Sequence, residues 1–204
     1  MKSQRELVFD RVEQALRPLQ ERTPLPEFSD DLVIMRGAKG ATELWKLFSE
    51  RMQLLHGMTF TSTTELGVYL RQQGWLHGYC DPSLLPLLIR EFGPGFNVEN
   101  HFDRKRINDY QFGITRAQGA IAETGTIILK DKAPSPRLAA LAPWVHIAVF
   151  KESEIFADLP TAVKALGDDP NIVWVTGPSK TGDVESILIE GVHGPGVQIG
   201  LLLK

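Results

Sequence analysis

The sequence predicts an α/β fold in which helices cover a mostly parallel sheet. Two patterns carry that expectation. Apolar runs of strand length, such as V-H-I-A-V-F at 145–150 and I-V-W-V-T at 172–176, alternate with amphipathic stretches of helical spacing. Glycine and proline punctuate the boundaries, at Gly57, Gly74, Gly93-Pro94-Gly95 and Pro143.

The elements follow in order. Ser3 and Glu6 form an S-x-x-E capping box, and Leu7, Val8, Val12, Ala15, Leu16 and Leu19 recur at helical spacing behind it. Residues 23–31 carry two prolines and several acids and read as a linker, which divides the chain into an N-terminal helical arm and linker, 1–30, and a domain, 31–204. A helix is predicted over 41–55, a short strand over 58–60, and a helix capped by Thr63 or Thr64 that stops at Gly74. A strand over 75–79 and a helix over 82–92 come next, then a polar surface loop at 100–106. The centre reads as a strand at 112–115, a helical turn at 117–120 and a strand at 126–130. A short helix at 137–141, a buried strand at 145–150, a helix at 159–166, a buried strand at 172–176, a helix at 181–190 and a last strand at 197–203 complete the chain.

Composition narrows the function. The 204 residues fit one domain, or one domain with an arm, and 43% hydrophobic residues suffice for a sizeable core. The net charge of −3 comes from acids and bases mixed along the chain, which argues against a nucleic-acid surface. No window approaches the ~20 apolar residues of a membrane span, and the polar start M-K-S-Q-R-E lacks a signal-peptide core. Cys80 is the single cysteine, so no internal disulfide forms and a cytoplasmic protein is expected. Iron–sulfur clusters are usually held by four thiolates, which this chain cannot supply.

Two stretches carry the chemistry. Residues 113–129 hold one acid, Glu123, among small and apolar residues that let other groups approach the backbone. Glu123 is either a general base, nucleophile or substrate acceptor, or a structural carboxylate tied to nearby backbone N–H groups. Thr115, Thr124, Gly125 and Thr126 accompany it as candidate ligand contacts, the hydroxyls either donating to a ligand or satisfying the turn. Residues 173–195 have the same small-residue character, and the two loop systems are read as one pocket at the carboxyl ends of the strands. There, Ser179, Lys180 and Thr181 precede a predicted helix whose N–H groups would attract an anion; the alternative is a capping Ser179 and a solvated Lys180. The phosphate-binding G-x-x-x-x-G-K-[ST] pattern is absent. Asp183 falls in the first turn of that helix, where its dipole would also stabilise it. His193 stands in a turn as a candidate proton shuttle, or bonds a neighbouring carbonyl. His146, in an apolar strand, reads as a core histidine. Arg137 could hold a carboxylate with two parallel bonds, or form a surface ion pair. The scattered histidines predict no metal site.

The motifs A-I-A-E-T-G-T (120–126), R-L-A-A-L-A-P (137–143), S-K-T-G-D-V-E (179–185) and G-V-H-G-P (191–195) occur in this order through roughly the last half of the chain. Together they resemble the LUD domain, most closely the lactate-utilisation protein C group of that family. Gly182 stands where the family usually has Ala. The resemblance implies a three-layer α/β/α sandwich like that of the ribose-5-phosphate isomerase, glucosamine-phosphate deaminase and coenzyme A transferase group. It implies a role in oxidising L-lactate to pyruvate beside two iron–sulfur proteins, and it raises Asp183 as a pocket residue able to orient Lys180 or a ligand hydroxyl. The expected function is therefore a non-redox subunit that carries no cofactor of its own, binds a small carboxylate or other anion, and works with iron–sulfur lactate-utilisation partners. The alternative is a stand-alone enzyme acting on a small carboxylate, phosphorylated or coenzyme A substrate, with Glu123 as its nucleophile or base.

Overall fold

The computed structural model of the chain describes residues 2–17, 40–130, 135–167, 171–182 and 187–203. It divides into two compact units, Met1–Ile34 and Met35–Lys204. In the first, helix α1 (Gln4–Leu16) starts at the anticipated box: the Glu6 amide donates to Ser3 Oγ at 3.3 Å, and the Ser3 amide donates to Glu6 Oε2 at 2.6 Å. The linker at 23–31 lies outside the described residues.

In chain order the second unit contains α2 (Ala41–Leu54), β1 (Met58–Phe60), α3 (Thr63–Gln72), β2 (His77–Cys80), α4 (Leu85–Phe92), β3 (Asn97–Glu99), β4 (Phe112–Arg116), β5 (Gly119–Ile121) and β6 (Thr126–Lys130). There follow α5 (Arg137–Leu141), β7 (Val145–Lys151), β8 (Ile155–Phe156), α6 (Leu159–Leu166), β9 (Ile172–Val175), β10 (Lys180–Gly182), β11 (Leu188–Glu190) and β12 (Val197–Leu203). Among the described residues, six strands form a parallel sheet in the order β1-β12-β7-β4-β2-β3.

Both faces of this sheet are covered, so its central strands are buried throughout. On one face, Leu66 and Leu70 of α3 and Leu88 and Phe92 of α4 pack on Phe112, Ile114, Ile147, Val149, Ile199 and Leu201. On the other, Phe48 and Met52 of α2 and Ala140 of α5 meet Ala148, Phe150 and Leu202. The odd and even residues of β7 therefore serve different cores. The result is the three-layer α/β/α sandwich, with a second sheet of order β8-β5-β6-β9 set into one outer layer. Helix α6 backs that sheet through Ala162 and Leu166 against Ile121 and Ile128.

The local readings need four corrections. The cap of α3 is Ser62, whose hydroxyl accepts from the Glu65 amide, rather than Thr63 or Thr64. The helical turn expected at 117–120 is instead strand β5, because Gly119–Ile121 pairs with both β6 and β8. The strand at 172–176 is an edge strand with Trp174 exposed, not a buried one. The helix expected at 181–190 is the antiparallel pair β10–β11, with Lys180 opposite Glu190 and Gly182 opposite Leu188. A glycine early in the segment and the β-branched Ile187 and Ile189 favour extended backbone there.

One contact sets how closely α5 lies on the sheet. A Cβ added to Gly113 of β4 would stand 1.8 Å from the Ala139 carbonyl oxygen. A Cβ added to Gly182 would meet nothing within 4 Å, so the alanine usual in the resembling family fits this backbone. Gly113→Ala is thus expected to destabilise by about 1–3 kcal/mol or more, and Gly182→Ala to stay within about 0.5 kcal/mol of the parent. Urea denaturation midpoints measure both; equal midpoints for Gly113→Ala and the parent would contradict the close approach.

Candidate functional site

Three neighbouring strands, β4, β7 and β12, carry a buried polar line on the face beneath α5. Thr115, His146 and Gln198 are each 1% exposed or less. Register explains the alignment: His146 pairs with Gln198 across β7 and β12, and Thr115 lies two residues beyond Gly113, the β4 partner of His146. Thr115 Oγ1 is 2.8 Å from His146 Nε2, and His146 Nδ1 is 2.9 Å from Gln198 Oε1. Burial pushes the imidazole down to about 4, against the opposing hydrogen bond to Gln198, so the ring is neutral near neutral pH. A neutral imidazole has one donor and one acceptor nitrogen. Gln198 Oε1 can only accept, so Nδ1 carries the proton and Nε2 accepts from the Thr115 hydroxyl. The Gln198 Nε2 amide, by contrast, is buried and finds no partner among the described residues.

A second knot fixes the start of α5. Asp81, buried directly after β2, accepts from the Ser83 amide at 2.8 Å, from the Ser83 hydroxyl at 2.5 Å and from the Ser135 hydroxyl. Ser135 Oγ in turn accepts from the Arg116 amide at 3.0 Å. This ties the segment entering α5 to the ends of β2 and β4.

Between α5 and β9 these elements leave two adjoining cavities that share Ala140 and Val173 as wall. The smaller, about 10 Å³, is lined by Thr115, Arg116, Ser135 and Arg137, among others. The larger, about 250 Å³, has Gln198 in its wall, with Thr176, Gly177, Ser179, His193 and Pro195. It lies beside the amino end of β12 and the residues that close β9 and follow it, Val175, Thr176 and Gly177.

The sequence-predicted residues divide accordingly. Ser179 and His193 meet in the larger cavity, and Thr115 and Arg137 line the smaller. Thr124 and Thr126 join Thr176 in a hydroxyl chain, at 2.7 and 2.9 Å. Gly125 has φ +67° and lies against Arg51 and Met52 of α2, where a Cβ would come within 2.8 Å of the Met52 amide. Glu123 sits half-buried in the β5–β6 turn, its amide donating to Ala157 O at 3.1 Å, and neither cavity wall includes it. Lys180 instead serves the end of α2: it donates to Leu55 O at 3.0 Å and pairs with Glu190 at 3.4 Å. Thr181 is half-buried on β10, and Asp183 lies outside the described residues. Gln198, Asp81 and Ser135 were missed by the sequence reading, and His146 was read only as core. The available signal was polar residues inside apolar strands, V-Q-I-G-L-L-L and V-H-I-A-V-F.

Cys80 is buried, and burial followed by the nearby Asp81 charge pushes its thiol up to about 12, so it stays protonated. Among the described residues no group of three or more His, Cys, Asp or Glu is placed to hold a metal, and no helix is long and apolar enough to cross a membrane.

Comparison with known proteins adds the relationship. The family described as the LUD domain matches residues 70–203. An uncharacterised protein of Neisseria meningitidis is 36% identical over 88 residues, covering 41% of this chain and 38% of that protein. Lactate utilization protein C of Deinococcus radiodurans is 39% identical over 87 residues, 40% of this chain and 41% of that one. The protein of the same name from Oceanobacillus iheyensis is 34% identical over 91 residues, 41% and 39% respectively. The chain thus spans about two fifths of the length of the curated relatives it matches. A crystal structure of a DUF162 family protein from Deinococcus radiodurans superposes with a TM-score of 0.60 at 21% identity, over 82% of this chain and all of that one, and shows the shared fold.

The buried imidazole sets a pH dependence. Its folded pKa of about 4 lies below the ordinary 6.5. Above 6.5 neither state holds the extra proton and stability is full. Between 6.5 and 4 the unfolded chain takes up a proton that the native chain refuses, so stability falls by up to about 1.4 kcal/mol per pH unit. The carboxylates of Glu99, Glu154 and Glu190 are held below their ordinary 4.5, so their losses begin lower. Urea unfolding between pH 6.5 and 4.5 is expected to show the decline in the parent and a shallower one in His146→Gln; identical slopes would contradict a buried neutral His146.

Proposed function

The chain belongs to the LUD domain family, and from that membership we propose that it serves L-lactate utilisation as a non-redox subunit, holding a small carboxylate while iron–sulfur partner proteins carry the electrons. The observation that carries this reading is the larger cavity between α5 and β9. At about 250 Å³ it suits a small molecule, and its wall mixes apolar Val173 and Val175 with the polar Ser179, His193 and Gln198. The names of the relatives supply the substrate. Oxidising lactate to pyruvate releases a pair of electrons, which must go to an acceptor. The one thiol of this chain is buried and protonated, which supports placing any cluster ligands on the partners. The stand-alone enzyme with Glu123 as nucleophile or base has less support, because Glu123 stands outside both cavity walls.

Deleting the gene in its host is expected to abolish growth on L-lactate while leaving growth on pyruvate intact, and the tagged protein is expected to retain iron–sulfur proteins on affinity capture. Normal growth of the deletion strain on L-lactate would overturn the reading. Lactate oxidation by the isolated chain with an artificial acceptor would overturn its non-redox part.

A further inference from the structure

We infer that Gln198 is the ligand anchor of the groove, its amide N–H donating to a carboxylate oxygen of a small acid, with His146 as the positioning residue that aims it. This rests on the reading that the groove holds a small carboxylate, and adds which groups hold it.

Gln198 is 1% exposed, stands in the wall of the larger cavity, and has its Oε1 committed to His146. That leaves the Nε2 hydrogens, and a buried amide donor without an acceptor is a costly arrangement that folding alone does not favour. Among the described residues one other buried side-chain atom shares this condition, Arg51 Nε of α2, and it lines neither cavity. With Oε1 toward His146 Nδ1, the imidazole carries its proton on Nδ1 and accepts from the Thr115 hydroxyl at Nε2, and the Gln198 NH₂ is left outside the relay. The relay is neutral throughout, so it brings no charge that would repel an anion.

The surroundings select what the donor meets. An amide N–H requires an acceptor, and among the described residues neither cavity wall contains an Asp or Glu. The adjoining wall contributes three bases, Arg116, Lys130 and Arg137, each already engaged within the protein. An anionic acceptor is therefore favoured over a cationic or donor-rich ligand. The same wall includes Ala140, Val173 and Val175, an apolar surface for a methyl group rather than a second charge. A short carboxylate with an apolar end, such as lactate or pyruvate, matches both sides.

The test is titration of the purified full chain with pyruvate and with L-lactate at millimolar concentrations, followed by NMR of side-chain amides. The Gln198 NH₂ signals, assigned through the backbone, are expected to shift as either acid saturates. Gln198→Met, which keeps the length, and Gln198→Glu, which keeps the acceptor toward His146 but reverses the donor, are each expected to weaken binding by about tenfold or more. His146→Phe is expected to weaken binding when Gln198 is present and to add nothing in the Gln198→Met background, a coupling that general loosening would not produce. Saturation without any shift of the Gln198 amide, or a folded Gln198→Met that binds unchanged, overturns the anchor and leaves the lactate role standing. Additive losses in the double variant overturn the positioning role of His146. Failure of the parent to bind either acid overturns the ligand class, while growth on L-lactate decides the wider function separately. Should the variants not fold, the parent's amide shifts alone decide.

Discussion

The close approach of α5 to β4 governs the layout of this domain. The Ala139 carbonyl occupies the space a Cβ on Gly113 would need, so helix and sheet touch backbone to backbone. Ala139 and Ala140 keep the helix small on that side, and Ala148 and Gly200 keep the sheet low beside it. Phe48 then reaches over Gly200 to meet Phe150 edge-on at 5.3 Å. The Asp81–Ser135–Arg116 knot holds the entry to α5 in place, so the helix cannot slide along the face. These contacts position the α5 side of the groove.

Under that helix the protein buries groups that a core built for stability alone would not use. Thr115, His146 and Gln198 occupy positions that Val or Ile would fill at no desolvation cost. Two hydrogen bonds offset part of that cost, and the Gln198 amide keeps the remainder. A local departure from the best-packed solution is expected where binding is done. The same departure makes His146 refuse a proton, which couples the stability of the fold to pH through the residue that orients the amide.

Much of the fold was legible because strands and helices here differ sharply in period. The apolar strand at β7 and the S-x-x-E start of α1 announce themselves locally. The antiparallel pairing of β10 with β11 did not, since a stretch of this length also suits a helix and no short window reveals the pairing. The site was legible by half. Ser179 and His193 stand out in glycine-rich loops and do reach the cavity. Glu123, the most conspicuous acid in the chain, turns up in a hairpin turn outside it. Gln198 looked like one polar residue in an apolar strand, and only sheet order, which sets β12 beside β7, shows that it completes a relay with His146.

Diffraction from crystals soaked in pyruvate tests the claim at its centre. Density for the acid is expected between α5 and β9, with a carboxylate oxygen within hydrogen-bond distance of Gln198 Nε2 and the methyl group toward Val173. Ordered acid at the Glu123 turn, with the groove beside Gln198 filled only by water bonded to its amide, would contradict it.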